Sequence, residues 1–141
     1  CRQRLLPSRI ENNGTHRFQA HVPFSGSTVF WDYGDFAGNG RISTSYANYL
    51  NKWTYVTLVS EGNGGDFKAI YLDGKLANSS ATSDGPDTAL TGLEIGRWAI
   101  SGYHNGKIDD FRIYNYVLSE SQIRLLMNEG TARFGPNEGQ P

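Results

Sequence analysis

The stretch NKWTYVTLVSEGNGGDFKAIYLDGKLANSS, residues 51–80, decides the fold. Its first part, WTYVTLV, is apolar or β-prone on both faces, as expected of a central strand covered on each side. GNGG then turns the chain, and FKAIYLDGKLA carries Asp73-Gly74 between apolar flanks, the signature of a type I′ hairpin. Read in order, these pieces predict a meander of antiparallel strands.

The same period-2 pattern continues upstream. In HRFQAHV, Phe18, Ala20 and Val22 share one face and Arg17, Gln19 and His21 the other, predicting a half-buried strand with one dry and one wet side. STVFWDYG places Val29, Trp31 and Tyr33 on one face and Phe30 and Asp32 on the opposite one. The Gly-rich GDFAGNG is a loop, and RISTSYA reads as the next strand. Downstream, LTGLEIGRWAI and GKIDDFRIYNYVL predict two more strands, separated by a loop from Ser101 to Gly106.

A single helix signal comes late. Ser119 and Gln122 have capping-box spacing, Ile123, Leu126 and Met127 form an apolar stripe, and Gly130 is placed to end a helix of about three turns. The expected organisation is a lead-in segment at 1–15, a β-sandwich at 16–131 and a flexible, Gly- and Pro-containing tail at 132–141. Strands at regular spacing with turns between them predict an all-β, two-sheet antiparallel β-sandwich (jelly roll) with one short C-terminal helix.

Composition agrees with that class and narrows the function. The 141 residues suffice for one core, and 13% aromatics with 17 Gly but only one Met favour pleated strands over a helical bundle. Charged residues are 19% and the formal net charge is −1, so no single-sign field exists to attract nucleic acid. No apolar run reaches the roughly eighteen residues that a membrane helix needs, so membrane insertion is not expected. Cys1 is the one cysteine, which excludes an internal disulfide and a cysteine zinc site. The first residue is not Met, which reads as a processed chain or a piece of a longer product.

A series of short motifs carries a family resemblance. Lys52-Trp53 opens a strand; Tyr71-Leu72-Asp73-Gly74-Lys75-Leu76 and Leu93-Glu94-Ile95-Gly96 follow. Then come Gly106-Lys107-Ile108-Asp109-Asp110-Phe111-Arg112-Ile113-Tyr114-Asn115 and, before the helix, Leu118-Ser119. In this order over residues 52–130, they resemble the concanavalin A-like, laminin-G-like (LamG-type) jelly roll. The resemblance implies an extracellular or cell-surface domain, often appended to carbohydrate-active enzymes or adhesins and often carrying calcium. Such domains have further strands before the part corresponding to Phe18, where this sequence has about fifteen residues. A sandwich short of those strands leaves an open edge and apolar surface, which a partner chain or a homodimer would cover.

Catalysis is not expected. Related jelly-roll glycosidases set two acids on one face of one strand, and the E-x-D-x-x-E arrangement is absent here. Asp109 and Asp110 are adjacent, so in a strand they would point to opposite faces. Asp32 and Asp35 straddle a loop and could converge, which makes them a weak catalytic pair and weaker calcium candidates than Asp109, and His16, His21 and His104 are isolated in the sequence.

Sugar binding needs flat aromatic faces with polar groups at the rim. Two groups qualify: Trp31, Tyr33 and Phe36 before the Gly-rich loop, and Arg97, Trp98, Tyr103, His104 and Asn105 around the later one. Trp53 is expected in the core. Asp109 is the best single candidate for calcium, a hard cation that takes loop carboxylates and carbonyls, and Asp73 is expected only to make its turn. Asn13-Gly14-Thr15 and Asn78-Ser79-Ser80 match the glycosylation sequon. The expected function is therefore a noncatalytic carbohydrate-binding or adhesion module, with the calcium assistance that the resemblance implies. The competing reading is a structural, self-associating interaction domain of a larger surface protein.

Overall fold

Alternating apolar residues in TVFWDY and RISTS cannot all be dried by one strand, and they are dried by forming a sheet and stacking it. In the computed structural model, residues 18–24, 26–33, 40–61, 67–81, 93–98 and 102–132 are described, with Trp98, Gly102 and 128–132 described in backbone only. Strands β1 (Phe18–Phe24), β2 (Thr28–Tyr33) and β3 (Arg41–Ser45) form one antiparallel sheet in the order β1-β2-β3. Strands β4 (Val56–Ser60), β5 (Lys68–Leu72) and β6 (Lys75–Ser80) form a second, in the order β4-β5-β6. The fold is the predicted two-sheet antiparallel β-sandwich of the jelly-roll class with one short helix.

The core lies between the sheets. Val29, Trp31 and Ile42 from the first sheet meet Ile70 and Leu72 from the second, with Tyr46 beside them and Phe18, Val22, Tyr33, Val56 and Leu58 around the margin. Each fully buried aliphatic side chain of this kind contributes about 1.5–3 kcal/mol. The outer face of β5 is dry as well: Ala69 and Tyr71 pack with Val59, Leu118 and Ile123, the last from helix α1 (Glu120–Ala132). The order of layers is thus sheet, sheet, helix.

Local sequence explains the junctions. Asp73 (φ +48°) and Gly74 (φ +69°) both take left-handed backbone, as a type I′ hairpin demands. Asp73 does more than turn the chain, since its Oδ1 accepts from the Tyr55 amide at 2.8 Å and fixes the approach to β4. A Cβ on Gly74 would lie 3.2 Å from Arg124 Cγ, so helix α1 sits directly on the turn. The helix begins as predicted: the Ser119 amide donates to Gln122 Oε1 at 2.8 Å and the Gln122 amide to Ser119 Oγ at 3.3 Å.

Several expectations are corrected. WTYVTLV is not the central strand: β4 pairs with β5 alone among the described residues, and β5, buried along its whole length, lies between β4 and β6. Trp53 is 68% exposed because the strand starts only at Val56. The dry and wet faces of β1 are not separated: Gln19 is buried and Ala20 exposed, since Gln19 stands opposite the buried Asp32 in register. The helix continues past Gly130 to Ala132.

The two late strands are also corrected. Among the described residues only Arg97–Trp98 (β7) and Gly102–Tyr103 (β8) pair, so β8 lies inside the expected loop, and no strand is formed over residues 104–119 there. A strand is defined by its ladder, and no described neighbour supplies one there. The Gly-rich loop falls mostly, and the GNGG turn, the lead-in segment and the end of the tail wholly, outside the described residues.

Two outcomes test this architecture. Trp31→Phe strips a buried donor from Val59 O and Ser60 Oγ, and urea unfolding is expected to show a loss of about 2 kcal/mol with unchanged m-value. Gly74→Ala is expected to lower stability by about 1–2 kcal/mol through its left-handed φ, whereas Ala77→Gly on exposed β6 stays within about 1 kcal/mol.

Candidate functional site

Side chains available to a ligand are those that the sandwich does not consume. Trp31 is consumed: it is 5% exposed, its Nε1 donates to Val59 O at 3.1 Å and Ser60 Oγ at 2.8 Å, and its ring meets Phe18 edge-on at 5.2 Å. It therefore offers no face to a sugar. Tyr33 is half-buried, with its ring 5.7 Å from Phe18 and 5.8 Å from Trp31 and the Lys68 ammonium 5.4 Å from its centroid. Burial pushes the Tyr33 phenol above its ordinary value of 10. Phe36 lies outside the described residues.

The later group is assembled differently. β7 and β8 form a short hairpin in which Arg97 opposes Tyr103 and Trp98 opposes Gly102. The His104 amide donates to Gly96 O at 2.8 Å and closes its base, with Gly96 at φ +73° making the bend. Tyr103 is 72% exposed, and His104 and Asn105 follow it on the surface. A Cβ on Gly106 would stand 2.6 Å from His104 Nε2, so the Nε2 end of the imidazole occupies space that a side chain there would claim. Arg97 is exposed and 3.6 Å from Glu94, an ion pair that solvent keeps weak. The Trp98 side chain lies outside the described residues. Of the predicted ligand residues, Arg97, Tyr103, His104 and Asn105 are thus brought together on one hairpin, away from Trp31 and Tyr33.

The acidic residues have structural partners. Asp32 is fully buried and takes Arg41 Nε and Nη2 on its two oxygens at 2.5 and 2.6 Å, a cross-strand pair in direct register. That hydrogen bond holds the Arg41 guanidinium above its usual range. Asp109 Oδ1 accepts from the Asp110 amide at 2.8 Å, and Asp110 Oδ1 accepts from Arg112 Nε at 2.7 Å. No three His, Cys, Asp or Glu side chains converge to hold a metal among the described residues.

Sequence reasoning missed one surface cluster. On the outer face of the first sheet, His21 lies 4.7 Å from Phe24 and 6.3 Å from Phe30, and the Arg41 guanidinium covers the Phe30 ring at 4.6 Å. Strict alternation separates His21 from Phe24; a register shift between them brings both to one side. Pro23 inside the strand was the available signal for that irregularity. Asn78 of the second sequon is also engaged, its Nδ2 donating to Ser43 O at 2.7 Å across the edges of the two sheets.

Comparisons with known proteins bear on this surface. The family described as the concanavalin A-like lectin/glucanases superfamily matches residues 3–124. No curated protein matches the chain. Among solved structures, a 2.1 Å crystal structure of an S-layer domain-containing protein (residues 221–444) from Clostridium thermocellum is similar, with a TM-score of 0.46 and 18% identity over 90% of this chain. This chain covers 66% of that one, just under two thirds of its length, and the likeness carries no functional argument.

The buried phenols give a measurable consequence. Tyr33 and Tyr71 both lie above the ordinary 10, Tyr33 through burial and Tyr71 through burial and then Glu120. A folded-state value above the unfolded one means a stabilising contribution complete below pH 10 and lost as pH rises through the folded value. Unfolding midpoints are expected to fall above that pH, and the fall is expected to flatten in a Tyr33→Phe, Tyr71→Phe double variant.

Proposed function

As the chain belongs to the concanavalin A-like lectin/glucanases superfamily, we propose that it is a noncatalytic carbohydrate-binding or adhesion module of an extracellular or cell-surface protein, with the β7–β8 hairpin as its contact surface. The observation that carries this reading is Tyr103, an aromatic ring 72% exposed beside His104, Asn105 and Arg97. A phenol ring stacks on the C–H face of a pyranose, and an imidazole, an amide and a guanidinium supply donors and acceptors for its hydroxyls. The acids support a noncatalytic reading: Asp32 is locked under Arg41, and Asp110 is paired with Arg112. The contact needs no metal, so calcium is at most an accessory to it.

Isothermal titration against oligosaccharides chosen by a glycan array tests the proposal. Millimolar or tighter binding is expected, weakened about tenfold by Tyr103→Ala and more mildly by Gly106→Ala, which displaces the His104 ring. EDTA is expected to leave the affinity unchanged. Absence of any glycan binding by the wild-type chain, or full affinity in both variants, sinks the assignment to this hairpin.

A further inference from the structure

The segment Lys107–Val117 carries the alternation of a strand and the charges of one, yet no ladder is formed along it among the described residues. Five of its apolar side chains face water: Ile108, Phe111, Ile113, Tyr116 and Val117 are all exposed, Ile113 by 61%, while Tyr114 is half-buried against the outer core of β5. Runs of this kind mark interaction surfaces, and a segment that joins no ladder among the described residues is suited to pairing with another strand.

The charge pattern selects the partner. Around Phe111 the sequence reads Asp110-Phe111-Arg112, and an antiparallel pair related by a two-fold axis through Phe111 sets Asp110 of each copy opposite Arg112 of the other. The same register places Ile108 opposite Tyr114 and Lys107 opposite Asn115, so no like charges face each other. A shift of the axis by one residue to Asp110 sets that aspartate against itself, and a shift to Arg112 sets two arginines together. Side-chain alternation keeps directly opposed residues on one face, and the Phe111-centred register obeys it. The whole chain, at a formal charge of −1, adds almost no repulsion between copies.

The conformation of the segment is consistent with a rearrangement on pairing. Asp110 sits at φ +51°, a region that a non-glycine residue adopts at a cost, and its carboxylate holds Arg112 within its own chain at 2.7 Å. Pairing would return Asp110 to extended backbone and exchange the two intrachain ion pairs, one in each copy, for two between chains.

We propose that Lys107–Asn115 is a dimerisation strand, and that its partner is the same segment of a second copy, paired antiparallel about Phe111. This surface adjoins the Tyr103 hairpin, since Ile108 and His104 both lie over Gly96, but neither proposal depends on the other. Sedimentation equilibrium of the wild-type chain at high micromolar concentration is expected to give twice the monomer mass. Arg112→Asp is expected to give a monomer with unchanged far-UV circular dichroism, and adding Asp110→Arg to it, which reverses both charges, is expected to restore the dimer.

In a Cys1→Ser background, Phe111→Cys is expected to cross-link under mild oxidation. Opposed residues of antiparallel strands lie about 4.5–5.5 Å apart between Cα atoms, within disulfide reach. Ile113→Cys is expected not to cross-link, because its two copies would stand about 14 Å apart. A monomeric wild type, a dimer that survives Arg112→Asp, or equal cross-linking of the two cysteine variants overturns the proposal.

Discussion

Hydrogen bonds cross the interior of this sandwich in both directions, and the rest of the structure depends on them. Trp31 reaches from the first sheet to Val59 O and Ser60 Oγ of the second, while Lys68 reaches from the second sheet to the carbonyls of Tyr33 and Gly40 in the first. Apolar contact alone is tolerant of sliding, because burial is nearly proportional to area and indifferent to register. A buried ammonium or indole N–H is not tolerant: displaced by an ångström or two, it loses its acceptor and suffers the full desolvation penalty. The two sheets are therefore held in one relative position by polar groups and kept together by apolar ones. Asn78, bonded to Ser43 O at the rim, closes the same joint from outside.

That constraint explains which parts of the fold were legible in the sequence. Where a residue's partner lies within a hairpin or a helical turn, local pattern suffices: Asp73-Gly74, the capping box at Ser119 and Gln122, and the alternation of Val29, Trp31 and Tyr33 are all found as read. Where the outcome depends on what comes from afar, pattern fails. WTYVTLV, apolar on both faces, read as the central strand, yet KAIYL takes that place, its lysine accommodated because two carbonyls of the opposite sheet receive it. Gln19 and Asp32 looked like the wet face of their sheet for the same reason, and Arg41 is what allows Asp32 to be dry.

The candidate site shows the same division. Alternation states that Trp31 and Tyr33 share a face, but it does not state which face is covered, so a tryptophan in the core and one on a binding surface have the same signature. Trp53 and Trp31 exchanged their expected places for this reason, one exposed and the other buried. For Tyr103 the composition of its neighbourhood was informative, because Gly102, His104, Asn105 and Gly106 offer little that could bury an aromatic ring. A ring among small and polar residues has nothing to pack against, and solvent is its default environment.

The same logic applies to Lys107–Val117, the one long alternating stretch that is not in a sheet among the described residues. Period-2 hydrophobicity is a statement about two faces, and it yields a strand only if backbone groups along the edges are also satisfied. Here the sequence supplies the faces without a described neighbour to supply the edge. Water can hydrate such a backbone, but it cannot dry Phe111 and Ile113. Asp110 and Arg112, one on each side of Phe111, restrict which backbone can lie down beside this segment.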